Sequence, residues 1–286
     1  MPEMLQINGP CNIRARIVYR KEEAMIELII DGQTVLVETG KTILEVARQV
    51  GIDIPTLCHH DAVTPSGACR LCNVEVYPRG STQSFLVTAC NFPVEEGMEA
   101  WTNSEKVLKT RRLTMELLLA RDPESKTICE LAAELGVGPT PFRLEAENTC
   151  VLCNLCVRVC REVIKVDALK LITRGEKAVP HIEVSSTKCI GCGACSLLCP
   201  SKFIKMEEVD GQRVIWDTAF HMKKCSHCNA YITTEAHWKV IVEKSGSSLE
   251  ERGTKELCPI CRRDAILSEL LELSDKPTTS LFTIAE

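Results

Sequence analysis

Two stretches of the chain share one cysteine rhythm. Cys150, Cys153, Cys156 and Cys160 read C-x2-C-x2-C-x3-C, and Cys189, Cys192, Cys195 and Cys199 repeat it, closed by Pro200. Thiolates are soft ligands, and closely spaced ones on a turning loop can converge on one metal cluster. In runs of this type three cysteines grip one cubane while the fourth crosses to its neighbour. The spacing therefore predicts two adjacent 4Fe-4S clusters. One would use Cys150, Cys153, Cys156 and Cys199, the other Cys189, Cys192, Cys195 and Cys160. Gly191 and Gly193 would relieve crowding where backbone wraps a cubane. Arg161 stands where a proline would be expected after Cys160. Zinc or disulfides would not require two runs of identical spacing.

Upstream, Cys58, Cys69, Cys72 and Cys90 read C-x10-C-x2-C-x17-C. Four thiolates suit a 2Fe-2S cluster, and small residues such as Gly67 and Ala68 let backbone amides approach its sulfides. A zinc site or a set of buried thiols is the competing reading. His59 and His60 are read as ordinary polar neighbours, because four cysteines already complete the site.

Downstream, Cys225-x2-Cys228 and Cys258-x2-Cys261 form two knuckles of the zinc-ribbon kind, each offering two thiolates to one tetrahedral ion. Iron bound as in rubredoxin, or a third cubane, could use the same four sulfurs. His221, His227 and His237 lie nearby as alternative ligands, and Cys11 and Cys129 are read as small buried thiols.

The elements that must hold these residues are partly legible. Apolar runs Met25–Ile30 and Thr34–Val37 flank Asp31-Gly32, a hairpin signal. Thr42 and Glu45 make a capping box for a helix over 43–50, stopped by Gly51. Val74–Tyr77 and Phe85–Thr88 read as strands. Thr102 and Glu105, with Val107, Leu108, Leu113 and Leu117, predict a helix from Thr102 to Leu119, and a second is expected over 125–135. Leu169–Ile172 and His181–Val184 would form a hairpin between the two cubane loops. Strands are expected within 231–244, then a short helix over 265–273.

The resulting expectation is an α+β chain in sections. Residues 1–24 are an extension without an assigned role, 25–100 a ferredoxin-like β-grasp 2Fe-2S domain, and 101–141 a helical bridge. Residues 142–210 form a bacterial-type two-4Fe-4S ferredoxin domain, and 211–286 a zinc-ribbon-like module with a tail.

Composition narrows the function. The chain has 286 residues, 18 cysteines and only 4% aromatic residues, so bound metal is expected to help fill its cores. No secretory signal or long apolar run stands out, which predicts a cytoplasmic protein without a membrane span. A net charge of -5 argues against nucleic acid. Lys223, Lys224, Arg262 and Arg263 around the last knuckles are offset by Glu250, Glu251, Glu256 and Asp264, which disfavours a zinc-ribbon redox-sensing regulator. Gly136-Val137-Gly138 lacks the third glycine of a dinucleotide fingerprint and follows a helix, which disfavours a self-sufficient oxidoreductase.

The stretches Ile54-Pro55-Thr56-Leu57-Cys58-His59-His60 and Gly67-Ala68-Cys69-Arg70-Leu71-Cys72-Asn73-Val74-Glu75-Val76 resemble the N-terminal ferredoxin domain of the complex I large iron-sulfur subunit, shared with diaphorase and hydrogenase subunits. With the paired cubane motifs, the resemblance covers roughly residues 25–205. The gap before Cys90 exceeds the family's usual one and implies an enlarged hairpin around Pro78–Gln83. The family's His-plus-three-Cys cluster site has no counterpart between Ala120 and Cys129. The resemblance implies a relay of single electrons within a larger NAD(P)-linked, electron-bifurcating or related complex. It also implies an FMN-containing NAD(P)H-oxidising partner subunit, with soluble ferredoxin as a further candidate partner.

Overall fold

The computed structural model describes residues 24–142, 149–173, 180–245 and 256–274. Cys11 and almost all of the N-terminal extension lie outside the described residues.

Strands β1 (Met25–Ile30) and β2 (Gln33–Glu38) pair antiparallel. The turn between them puts Asp31 and Gly32 at φ 48° and 81°, the left-handed pair whose twist matches that of the flanking strands. Leu28 and Ile30 point into the core, and Glu27 and Ile29 point out. Helix α1 (Ile43–Gln49) opens with the expected capping box: Thr42 Oγ1 accepts the Glu45 N–H at 3.3 Å, and the Glu45 carboxylate accepts the Thr42 N–H at 2.7 Å. Strands β3 (Asn73–Tyr77) and β4 (Phe85–Thr88) also form where expected.

An unanticipated strand, β5 (Glu99–Trp101), joins them, parallel to β1 and antiparallel to β3. The sheet order is β2-β1-β5-β3-β4. Ile43, Leu44 and Val46 of α1 share one core with Leu28, Ile30, Val74 and Val76 of the sheet, as a β-grasp arrangement requires.

The bridge departs from expectation in detail. Helix α2 spans Glu105–Arg121 and is capped by Ser104, whose Oγ accepts the Val107 N–H at 3.3 Å. Thr102 is not the cap, because Asp31 accepts from its N–H at 2.7 Å and from its hydroxyl. The buried stripe is Val107, Arg111, Met115 and Leu118, while Leu108, Leu113 and Leu117 face outward. Helix α3 (Lys126–Glu134) follows. Cys129 on it is exposed and not the buried thiol expected, its sulfur lying 3.3 Å from the Pro123 carbonyl.

Beyond the bridge, α4 (Leu155–Arg158) runs into a π-helical turn, Val159–Val163. Strands β6 (Leu169–Ile172) and β7 (His181–Val184) form the expected hairpin, and α5 spans Ala194–Leu198. Then β8 (Met206–Val209), β9 (Gln212–Ile215), β10 (Thr218–Lys224) and β11 (Tyr231–Thr234) make one antiparallel sheet in the order β11-β10-β9-β8. This sheet runs straight across the section boundary expected at 210/211.

Where strands were expected to continue to Lys244, only β11 forms, and helix α6 (Glu235–Ser245) follows it. Thr234 Oγ1 accepts the His237 N–H at 3.2 Å and so satisfies a free donor of that helix's first turn. Helix α7 (Pro259–Ser274) begins six residues earlier than expected, with a proline at its first position, where the missing N–H costs nothing.

Candidate metal centres

Four cysteine thiols come close enough to interact where the β-grasp core meets the next one. Cys58 follows Leu57 in the loop after α1, Cys69 and Cys72 bracket a tight turn with Arg70 at φ 62°, and Cys90 lies just past β4; all four are buried. The Cys69 N–H donates to Cys58 Sγ at 3.4 Å. The thiols pair as Cys58 with Cys69 and Cys72 with Cys90. A hydrogen bond from the Cys69 thiol, with backbone help, holds Cys58 down to about 5, and the Arg158 charge adds to this. Its partner Cys69 is pushed far up by that same bond and by burial. Cys72 is pushed up through its bond to Cys90, and Cys90 is drawn down by it. Four buried thiolates so close repel one another unless cations sit among them, and ferric iron would supply that charge. Gly67 is required here, since a Cβ would come 2.8 Å from Thr88 Oγ1 at a φ of +64°.

The paired runs line two cavities, each with cysteines from both runs. One is walled by Cys150, Cys153, Cys156 and Cys199, with Phe203, Ile204 and Trp216. The other is walled by Cys160, Cys189, Cys192 and Cys195, with Ile215 and Trp216. Trp216 thus belongs to both walls, and its indole N–H donates to Cys195 Sγ at 3.4 Å.

Equivalent positions in the two runs take the same backbone shape. Leu152 and Asn154 sit at φ 53° and 62°, and Gly191 and Gly193 at 63° and 82°. Left-handed residues at alternate positions turn backbone N–H groups toward one point, a suitable nest for cluster sulfides. At Gly191 a Cβ would also lie 2.6 Å from the Phe220 ring, so a side chain is barred there on two counts. Cys160 sits on the π-helical turn, where its sulfur accepts the Ala168 N–H at 3.3 Å.

Burial pushes these thiols up, Cys153 to about 12 and Cys195 to about 11, with Cys156, Cys150, Cys189 and Cys192 moving the same way. The charges of Cys199, Cys150 and Cys58 all add to the rise at Cys153. Two apolar cavities ringed by cysteine sulfurs are what iron-sulfur cubanes fit.

Arginines hook the loop carbonyls from behind, a feature without a sequence pattern to announce it. Buried Arg111 donates to the carbonyls of Leu71, Asn73 and Thr102. Arg121 Nε reaches the Cys150 carbonyl at 2.7 Å, and Arg213 reaches those of Gly191 and Cys192.

The last four cysteines also converge. The sulfurs of Cys225, Cys228, Cys258 and Cys261 all lie within 4.8 Å of one another, and Cys228 and Cys258 are 3.8 Å apart. A tetrahedral ion with bonds of about 2.3 Å to sulfur separates its ligands by about 3.8 Å, so the donor set fits zinc or a single iron. N–H groups of Cys228 and Cys258 bring Cys225 down to about 6, while hydrogen bonding to Cys258 lifts Cys261 to about 12. The first knuckle is the β10–β11 turn, but the second lies at the start of α7 and not in a second hairpin, so the module departs from the expected ribbon. His227 Nδ1 approaches Cys261 Sγ at 3.5 Å. His237 is tied to Thr233, and burial lowers its pKa, while His221 is exposed on β10. Near the 2Fe-2S site, His59 faces Asp61 at 3.7 Å and His60 accepts the Ala62 N–H.

Comparison with known proteins agrees with this geometry. Residues 23–105 match the 2Fe-2S iron-sulfur cluster binding domain, and residues 149–203 and 188–233 match the 4Fe-4S dicluster domain. The chain is thus an iron-sulfur protein with ferredoxin domains of both kinds. Its relatives include the NADPH-Fe(3+) oxidoreductase subunit alpha of Geobacter sulfurreducens, 33% identical over 62% of this chain and 24% of that one. The NADP-reducing hydrogenase subunit HndD of Solidesulfovibrio fructosivorans is 32% identical over 62% of this chain and 35% of its own length. An NADH-quinone oxidoreductase subunit of Rhizobium meliloti is 31% identical over 71% of this chain and 27% of its own. The chain therefore spans about a quarter to a third of these relatives. None of the described helices is long and apolar enough to cross a membrane.

Proposed function

We propose that the chain is an electron-transfer subunit carrying one 2Fe-2S and two 4Fe-4S clusters in series within an NAD(P)-linked oxidoreductase complex. The carrying observation is the sorting of twelve cysteines into three four-thiol sites, the last two interleaved across the wall that holds Trp216. Cys58, Cys69, Cys72 and Cys90 would hold the 2Fe-2S cluster. Cys150, Cys153, Cys156 and Cys199 would hold one cubane, and Cys189, Cys192, Cys195 and Cys160 the other. The clusters supply one-electron chemistry; the protein supplies burial, backbone amides and arginines that set how readily each accepts an electron.

The Cys225, Cys228, Cys258 and Cys261 site holds structural zinc, which pins α7 to the sheet that walls the second cubane. The relatives' names support an NAD(P)-linked setting, and an FMN-containing partner that splits a hydride into single electrons suits a chain of one-electron sites. Other subunits or a soluble ferredoxin would take the electrons onward, and an electron-bifurcating complex is one such setting.

The test mixes the anaerobically loaded chain with NADH or NADPH, first alone and then with a flavoprotein subunit encoded beside it. Cluster absorbance should bleach only after the flavoprotein is added. Rapid bleaching by nucleotide alone would refute the relay reading.

A further inference from the structure

Arg158 is 2% exposed, yet it lies on a cubane loop and reaches into the 2Fe-2S loop. Its Nη2 donates to the Cys58 carbonyl at 2.5 Å and approaches the Cys153 carbonyl at 3.5 Å. Its Nη1 donates to the Thr64 carbonyl at 2.6 Å, and its Nε to that of Asn154 at 3.3 Å. A second tie runs the other way, from the Thr64 N–H to the Glu162 carboxylate at 2.7 Å. Around these bonds Leu57, Cys58 and Leu71 share a single apolar core with Val151, Cys153 and Leu155.

Among the described residues, carbonyl oxygens accept every hydrogen bond from Arg158, and no carboxylate pairs with it. A buried guanidinium without a counter-charge is costly. Iron clusters ligated by four thiolates carry net negative charge and become more negative on reduction, so a loaded site on either side provides the missing partner. Helices α2 and α3, which cover this contact, bring no ligand set between the two sites; the one cysteine on them, Cys129, is exposed.

We infer that Arg158 is a positioning residue that clamps the 2Fe-2S loop to the first cubane loop and gives both clusters one shared positive charge, so that electrons pass directly between them. The inference rests on the relay reading. It adds the order of the path: 2Fe-2S site, then the Cys150 cubane, then the Cys189 cubane. Arg158 favours the reduced form of the first two alike, which keeps electrons moving between them from being trapped on either.

The experiment uses the full chain, loaded anaerobically. A wild-type preparation lacking any of the three cluster signals would sink the relay reading itself, separately from the role of Arg158. With all three present, redox titration followed by electron paramagnetic resonance compares wild type with Arg158→Gln and Arg158→Lys. In Arg158→Gln the ratio of reduced to oxidised form at fixed poise should fall about tenfold for both the 2Fe-2S and the Cys150 cubane, about 59 mV for a one-electron couple. The Cys189 cubane should move much less, and Arg158→Lys should restore most of both shifts. An unmoved 2Fe-2S potential, an equal fall at all three clusters, or no rescue by lysine would overturn the proposal. Should Arg158→Gln fail to assemble, wild type decides the matter: reducing the Cys150 cubane should speed spin relaxation of the 2Fe-2S signal. Relaxation that stays unchanged would overturn the direct contact.

Discussion

The β-grasp region and the paired-cubane region bind metal through the same side chain but make their cores in opposite ways. In the first, Leu28, Ile30, Ile43, Leu44, Val46, Val74, Val76 and Met98 are buried in a core whose buried cysteines are Cys72 and Cys90 alone. In the second, three of the seven buried core residues are cysteines, Cys156, Cys195 and Cys199. The difference teaches where folding energy comes from. A sheet with an amphipathic helix can bury enough apolar surface to stand without metal. Two short loops cannot, and a thiol cavity left without metal has lost the centre of its core.

The largest expected effect follows from removing iron. Anaerobic chelation should leave amide protection in β1, β2 and α1 nearly intact. Protection in α4, α5 and the β6–β7 hairpin should fall roughly a hundredfold or more, about 2.7 kcal/mol. Hydrogen exchange read by mass spectrometry checks this, and equal loss in both regions would erase the contrast.

Next in size is the crossed ligation, which sharpens the picture of the second region. Cys199→Ser should abolish the signal of the cubane on the Cys150 loop and spare the other, and Cys160→Ser should do the reverse. Loss of each signal with its own run, Cys160 with Cys150 and Cys199 with Cys189, would mean the loops do not interleave. In the first region, Ile43→Ala should cost about 3 kcal/mol in denaturant unfolding while both cubane signals persist. Smallest is Trp216→Phe, which removes the N–H donated to Cys195. A hydrogen bond is worth about 1 kcal/mol net, so the potential of the Cys189 cubane should fall by a few tens of millivolts, with the 2Fe-2S potential unchanged.

Local signals made much of this fold legible. Asp31-Gly32 and the Thr42/Glu45 box each act within a few residues, and both appear as read. The same kind of signal was present but unused at Asp210-Gly211, φ 50° and 77°, which turns β8 into β9. Strand β5 was hidden because three residues carry little periodicity, and its pairing with β1 spans some seventy positions. The cap of α2 was misread at Thr102 because a distant residue, Asp31, claims that hydroxyl. The buried face of α2 was misread because it includes Arg111, whose guanidinium is satisfied by carbonyls from another element.

For the sites, cysteine spacing carried the grouping into three clusters of thiols and a fourth. The charged and aromatic groups behind them, Arg158, Arg213 and Trp216, come from positions that only the tertiary fold brings near.

The central claim is that twelve cysteines hold three clusters while the last four hold an ion of another kind. Metal analysis of the anaerobically reconstituted chain, with cluster signals counted by electron paramagnetic resonance, tests it most directly. The account predicts about ten irons per chain, from one two-iron and two four-iron clusters, together with about one zinc that is redox-silent and lost in Cys258→Ser. About six irons with a single cubane signal would contradict it, as would a paramagnetic signal that vanishes with Cys258.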